Sequence, residues 1–289
     1  MSEADAPAEG GAGSETDGAG GTDALLGIAV DAATMAGALL AERARHGAER
    51  HVSAKSTPTD LVSEADLASE RAIRELLAER RPDDGFIGEE GDRVESASGL
   101  DWVVDPLDGT INFLFAIPQW CVSVAVADGH GTLAGAVYDP NRDELFSASR
   151  DGRATLTGPH GEVELPLRGR CDGSDRDGEL ATAMVATGFA YDAAVRAAQA
   201  RVLTRVLPRV RDVRRLGSAA LDLAWTAAGR YDAYFERTVK QWDIAAGALI
   251  CERAGLRVLE LPEHEGLPWG ILVARAALAE SLLELVDGG

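Results

Sequence analysis

Trp102-Val103-Val104-Asp105-Pro106-Leu107-Asp108-Gly109-Thr110 is the stretch on which the reading of this chain turns. An apolar run delivers two aspartates three positions apart, Pro106 stiffens the exit, and Gly109 permits a tight bend or close backbone approach before a new segment opens at Thr110. Asp105 and Asp108 can both face one metal cluster, with the Leu107 carbonyl as a further ligand. A helix starting at Gly109-Thr110 would offer free amides to a phosphate oxygen. Taken alone, the stretch also fits an ordinary acidic turn after a strand, since Asp-Gly turns are common.

Two other acidic stretches change the balance. Gly88-Glu89-Glu90 lies just upstream and Trp242-Asp243 lies more than a hundred residues downstream. Carboxylates brought together repel one another unless a hard cation sits between them, and Mg²⁺ prefers oxygen ligands with substrate phosphate completing its shell. The expectation is a magnesium-dependent phosphate site.

Composition sets outer bounds. At 289 residues and 46% hydrophobic, the chain can bury a large core as one domain or two intimately packed halves. Its net charge of -20 disfavours nucleic acid as a direct partner, because phosphate contacts need Lys or Arg. The same charge repels an anionic ester unless a bound cation reverses the local field. The apolar stretches 24–40 and 120–127 are interrupted by Asp31 or too short, so neither is expected to span a membrane. Met1-Ser2-Glu3-Ala4-Asp5 lacks the pattern of a signal peptide, and a cytoplasmic location is expected. Cys121, Cys171 and Cys251 are odd in number and free of any CxxC pattern, which predicts neither a disulfide framework nor a zinc cluster. His46, His51, His130, His160 and His264 have no metal-ligand spacing.

Residues 1–22 carry no aromatic or large aliphatic side chain beyond Met1 and are expected to form a disordered acidic tail. Residues 23–289 are expected to form the catalytic domain, in two packed halves joined near 168–178. The spacing of Leu26, Val30, Ala33 and Leu40 predicts a helix from Asp23 to about Arg45. A second is predicted over 63–80, with Ser63 and Asp66 in a capping arrangement that sets Asp66 in its first turn. Strands are predicted at 100–105, 121–128, 133–139, 144–149, 154–157 and 163–166. Strands at 183–187, 210–214, 233–236, 257–261 and 270–274 alternate with helices at 192–207, 218–228, 242–254 and 276–286. That interleaving predicts an α/β layered architecture with covered sheets.

Asp-Pro-Leu-Asp-Gly-Thr-Ile-Asn-Phe (105–113), preceded by Phe-Ile-Gly-Glu-Glu (86–90) and followed by Gln-Trp-Asp-Ile-Ala-Ala-Gly (241–247), resembles the inositol monophosphatase family of magnesium-dependent, lithium-sensitive phosphatases. Further matches are 55–66 (Lys-Ser-Thr-Pro-Thr-Asp-Leu-Val-Ser-Glu-Ala-Asp), Leu216-Gly217-Ser218-Ala219-Ala220 and Tyr231-Asp232-Ala233-Tyr234-Phe235-Glu236. The resemblance runs from about Asp23 to Asp287. It implies an αβαβα sandwich, usually dimeric, with two or three Mg²⁺ per site. By the same resemblance Glu89, Asp105 and the Leu107 carbonyl bind the first Mg²⁺. Asp105, Asp108 and Asp243 hold a second, and Glu89 a weaker third. Asp66 and Thr110 orient and help deprotonate the attacking water, the Gly109 and Thr110 amides cradle the phosphate, and Glu236, with Ser218 and Ala219, receives the inositol ring. Lys55 is either a solvated charge or the family's motif lysine near the metal loop.

Two metals would suit the chemistry, because phosphate monoesters are inert and need both an activated water and a neutralised leaving alkoxide. Ile111 stands where many relatives carry a second Thr, and branches acting on histidinol phosphate or phosphoadenosine phosphate often carry a basic residue there. This leans toward myo-inositol 1-phosphate or another small polyol phosphate. Histidinol phosphate, fructose 1,6-bisphosphate and a scaffold role toward transcription machinery stay open as alternatives.

Overall fold

The computed structural model describes residues 17–46, 52–54, 61–167, 179–264 and 266–287. Lys55, the expected junction at 168–178, and the first sixteen residues of the expected tail lie outside these described residues. The remainder of that tail, from Asp17, already belongs to helix α1 (Asp17–His46), so the helix starts earlier than its apolar spacing indicates. Thr22 there is buried. Within α1, Gly21–His46 is long and apolar enough to cross a membrane by length and composition. Leu25, Ala29, Ala32, Ala33, Ala36 and Leu40 are instead buried in the core, and Asp31 pairs at the surface with Arg80.

The first half continues with β1 (Val52–Ala54), β2 (Leu61–Ser63), α2 (Glu64–Arg80), β3 (Gly85–Gly88), β4 (Asp101–Asp108) and the short helix α3 (Thr110–Leu114). A meander follows: β5 (Cys121–Asp128), β6 (Gly131–Asp139), β7 (Glu144–Ser149), β8 (Thr155–Gly158) and β9 (Gly161–Glu164). The second half contains β10 (Met184–Thr187), α4 (Ala193–Val206), β11 (Asp212–Arg214), α5 (Ala219–Ala227), β12 (Ala233–Arg237), α6 (Gln241–Arg253), β13 (Arg257–Leu261), β14 (Gly270–Ala274) and α7 (Ala276–Asp287).

Two sheets result, of order β3-β4-β5-β6-β7-β8-β9 and β11-β10-β12-β14-β13. Successive side chains of a strand point to opposite faces. Trp102 and Val104 of β4, with Val122, Val124 and Val126 of β5, pack against α1 and α2. Val103, Ala125 and Phe146 face the other way, onto Leu221 and Leu223 of α5 and Leu249 and Ile250 of α6. Tyr234, Ile271 and Val273 of the smaller sheet close on the same two helices from beyond. Val202 of α4 and Leu278 and Leu282 of α7 cover its outer face with Val185, Phe235 and Leu272. The layers run helix, sheet, helix, sheet, helix, as the resemblance implies. Both faces of the large sheet are covered, which is why Trp102-Val103-Val104 of β4 and most of β5 are apolar instead of alternating with polar residues.

One local departure shapes everything that follows. Strand β4 does not end at Asp105 but continues through Pro106 and Leu107 to Asp108. Its pairing with β5 slips there: Asp105 faces Ser123 and Asp108 faces Cys121, so three steps on β4 match two on β5. In a regular strand, residues three apart point to opposite faces. The extra residue re-aims the chain in the manner of a β-bulge and lets both aspartates reach one cavity.

Candidate active site

A cavity of about 400 Å³ lies between the halves, where the bulged end of β4 meets the N-termini of α5 and α6. Glu89, Asp105, Leu107, Asp108, Gly109 and Thr110 line it from one side, and Ala219, Glu236 and Asp243 from the other. Nearly all the predicted site residues are thus brought together by separate elements. Ser218 and Asp66 are the two that stand behind the wall. Ser218 is buried, and its hydroxyl donates to Asp108 Oδ2 at 2.6 Å; it supports a ligand instead of facing a substrate. Ile111 is also not among the lining residues, so the missing hydroxyl at that position leaves the cavity wall unchanged. Among the described residues, His46, His130, His160 and His264 do not line the cavity, and His51 lies outside the described residues.

Local chemistry explains how each group is held. Asp105 Oδ1 accepts the Leu107 amide at 3.0 Å, curling the chain into the bulge. Gly109 follows with φ 98°, and a Cβ there would press on the Gln119 carbonyl at 2.9 Å and on Trp120. The left-handed backbone and the crowding both demand glycine. Asp108 is tied to the second half through Ser218 Oγ, the Ala220 amide at 2.7 Å and the Ala219 amide at 3.2 Å. A carboxylate at the first amides of α5 is favourably placed toward the helix dipole.

Asp66 and Asp243 occupy the same position, the third residue of their helices, and each accepts a backbone amide from the residue before the helix. Ser63 donates its amide to Asp66 Oδ2 at 2.9 Å and its hydroxyl to the same oxygen at 2.6 Å. Lys240 donates its amide to Asp243 Oδ2 at 2.6 Å. The capping read from Ser63 and Asp66 is therefore present. Its other oxygen, Oδ1, accepts the Thr110 hydroxyl at 2.8 Å, which also lies 3.1 Å from the Leu107 carbonyl.

The electrostatics are strained. Burial, then the charges of Glu89, Asp108 and Asp243, push Asp105 well above the ordinary carboxylate range. Burial raises Asp108 as well, although Ser218 and the α5 amides oppose the shift. Asp243 is raised by burial and by Asp108, Glu89 and Glu236. Glu236 is pushed up to about 7 by burial, against the hydrogen bond that Tyr234 donates to it at 2.9 Å. Arg215 and Lys240 supply the positive charge in the lining.

A divalent cation fits this arrangement. The donors are all hard oxygens, four carboxylates and one backbone carbonyl, and their mutual repulsion is what a cation would remove. Among the described residues no three His, Cys, Asp or Glu side chains already form a closed chelate. The carboxylates instead border open space, in keeping with a Mg²⁺ that keeps waters and takes oxygens from its substrate.

The sequence profile of the inositol monophosphatase family matches residues 22–287. The chain belongs to the inositol monophosphatase family. It is accordingly a phosphomonoesterase. The inositol-1-monophosphatase SuhB of Mycobacterium tuberculosis is 44% identical over 238 residues, 80% of each chain. A protein named Nus factor SuhB, from Pasteurella multocida, is 40% identical over 255 residues, 87% of this chain and 91% of its own. Among solved structures, that of M. tuberculosis SuhB superposes with a TM-score of 0.76 at 37% identity, covering 92% of this chain and 97% of its own. The extragenic suppressor protein suhB from Bartonella henselae gives 0.81 at 31% identity over 92% and 99%.

Several residues of the inositol monophosphatase site escape the sequence reading. Phe189, Arg215 and Lys240 line the cavity, and none of the three is among the predicted site residues. Both basic residues abut a motif, Arg215 before Leu216-Gly217-Ser218 and Lys240 before Gln241-Trp242-Asp243, and that adjacency is the available signal. Asp222 is a second omission: it is buried on α5, and neither carboxylate oxygen has a hydrogen-bond partner among the described residues.

Proposed function

We propose that the protein is a Mg²⁺-dependent phosphatase acting on myo-inositol 1-phosphate or a similar small polyol phosphate. The observation that carries this reading is the meeting, in one cavity, of Glu89, Asp105, the Leu107 carbonyl, Asp108 and Asp243 with Thr110 and Glu236. The first five would hold Mg²⁺, which supplies acidification of water and neutralisation of charge on the leaving oxygen. Thr110 Oγ1 has its proton directed toward Asp66 or the Leu107 carbonyl, so its lone pairs are free to accept a hydrogen bond from a water in the cavity. The negative charge of Asp66 strengthens that acceptor and orients the water for attack. The Gly109 and Thr110 amides would receive phosphate oxygens. Glu236, across the cavity, would accept hydrogen bonds from ring hydroxyls, while Arg215 and Lys240 would draw an anionic ester into an otherwise acidic surface.

The test is phosphate release from a panel of esters: myo-inositol 1-phosphate, histidinol phosphate, fructose 1,6-bisphosphate and p-nitrophenyl phosphate, each with and without Mg²⁺. The reading requires Mg²⁺ dependence, preference for the inositol ester, and inhibition by Li⁺. Equal rates after exhaustive chelation would sink the metal assignment, and preference for another ester would replace the substrate. A scaffold role toward transcription machinery is the second reading, favoured by the relative named a Nus factor. Full turnover on the inositol ester would argue against a solely structural role. A homodimer is proposed as the assembly, to be measured by sedimentation equilibrium.

A further inference from the structure

We propose that Glu70 is the positioning residue that sets Glu89, and that it does so by clamping the chain on both sides of it. This inference rests on the reading of Glu89 as a cation ligand. Glu70 lies on α2, is only 4% exposed, and has no part in the chemistry described above. Its carboxylate is used from both ends. Oε1 accepts Arg74 Nε at 2.8 Å, and Oε2 accepts the backbone amide of Glu90 at 2.9 Å.

The carboxylate is lodged between two glycines. A Cβ at Gly88 would come within 2.5 Å of Glu70 Oε2, and one at Gly91 would collide with Oε1. Arg74, one turn further along α2, extends the grip. Its Nη2 donates to the Asp92 carbonyl at 2.9 Å, and its guanidinium lies 3.9 Å above the Phe86 ring. One side-chain pair thus grips the chain on both sides of Glu89, stacking on Phe86 and bonding to the backbone of Glu90 and Asp92.

Such a clamp has a physical purpose. Regular pairing of β3 with β4 stops at Gly88 opposite Val104, so Glu89 hangs from irregular backbone. It must nevertheless stay near Asp105 and Asp243, whose charges repel it. Each polar contact to that segment costs ordering entropy unless the partner is itself fixed. Glu70 is fixed, on a packed helix and in an i,i+4 pair with Arg74. Groups that orient metal ligands from behind alter metal affinity by about 10- to 100-fold when changed.

The experiment uses Mn²⁺ as the probe, with electron paramagnetic resonance counting free ion over the full, metal-free chain. Three proteins are compared: wild type, Glu70→Gln and Gly91→Ala. In Glu70→Gln one of the two donors, Arg74 Nε–H or the Glu90 amide, meets an NH₂ group. In Gly91→Ala the added methyl pushes both Glu70 and Arg74 aside while deleting neither. The expected result, read well below the unfolding of each protein, is Mn²⁺ affinity lowered by about 10- to 100-fold in both variants, although Glu70→Gln, with one buried donor mismatched, melts below wild type. Unchanged affinity in the variants overturns the inference while leaving the metal site intact. Affinity that falls only in step with the melting temperature assigns Glu70 to the fold and also overturns it. A wild type that binds no Mn²⁺ overturns the cation reading and this inference together.

Discussion

Thr110 and Asp66, 44 positions apart, are joined by a 2.8 Å hydrogen bond running from the threonine hydroxyl to Asp66 Oδ1. Its direction is set by Ser63, whose amide and hydroxyl occupy Asp66 Oδ2 and keep the carboxylate an acceptor. Thr110→Ser should therefore keep much of the turnover, while Thr110→Val should lose about 10²- to 10⁴-fold, the usual span for a proton-handling group. Steady-state phosphate release by the two variants checks this. Comparable rates for Ser and Val would remove Thr110 from the water-orienting role.

Gly188, just after β10, leaves the space that the Glu236 carboxylate fills. A Cβ there would overlap Oε1, Oε2 and Cδ of Glu236. Gly188→Ala should displace Glu236 from ring hydroxyls and lower kcat/KM on inositol 1-phosphate by about 1–3 kcal/mol, the effect of mismatched polar partners. Hydrolysis of p-nitrophenyl phosphate, which has no polyol, should be nearly unchanged. Equal losses on both esters would mean that Glu236 serves the metals or the fold.

Glu236 also makes stability depend on pH in the metal-free protein. Its value rises from the ordinary 4.5 to about 7, so within that interval the folded protein keeps a proton that the unfolded chain has released. The folded state then binds more protons, and stability falls as pH increases. The contribution is fully present below 4.5 and is lost through about 7. Asp105, Asp108 and Asp243 shift in the same direction, whereas Asp128 is held near 2 and acts below the window. Melting temperatures from pH 5 to 8 should fall, Glu236→Gln should flatten part of the decline, and Mg²⁺ should stabilise most at high pH. A rise across the interval would contradict the assignment.

Asp108→Asn should abolish turnover by several orders of magnitude at saturating Mg²⁺ and also lower the melting temperature. Asp108 accepts Ser218 Oγ and the Ala219 and Ala220 amides, and a carboxamide cannot accept on its nitrogen side. Hydrogen bonds to charged groups contribute about 1.5–3 kcal/mol each. Turnover and thermal melts measured together test both parts, and near-normal turnover would sink the ligand role.

The long elements were legible from periodicity, and most ends agree within a few residues. α4 and α7 have one buried stripe, α6 is buried toward both sheets, and β5 and β6 are largely apolar runs between turns. The short strands β1, β2 and β3 were not read, although β8 to β11, equally short, were, since three or four residues hold too little period to decide either way. The six residues of α1 before Asp23 contain three glycines, and their helical state follows from the packing of the rest of the helix.

By itself, the order of residues determined which carboxylates the protein owns, the Ser63–Asp66 cap, and the family whose motifs appear at 86–90, 105–113 and 241–247. These are local in sequence: a cap joins residues three positions apart, and a motif is a run of adjacent ones. Tertiary structure alone decided that Asp105 and Asp108 face the same way, since that needs a slip against β5. It also decided that Ser218 backs Asp108 while Ala219 lines the cavity, and that Glu70 reaches the chain around Glu89. Each of these depends on a partner tens of residues away, and local propensity does not encode the direction in which a side chain meets a distant backbone.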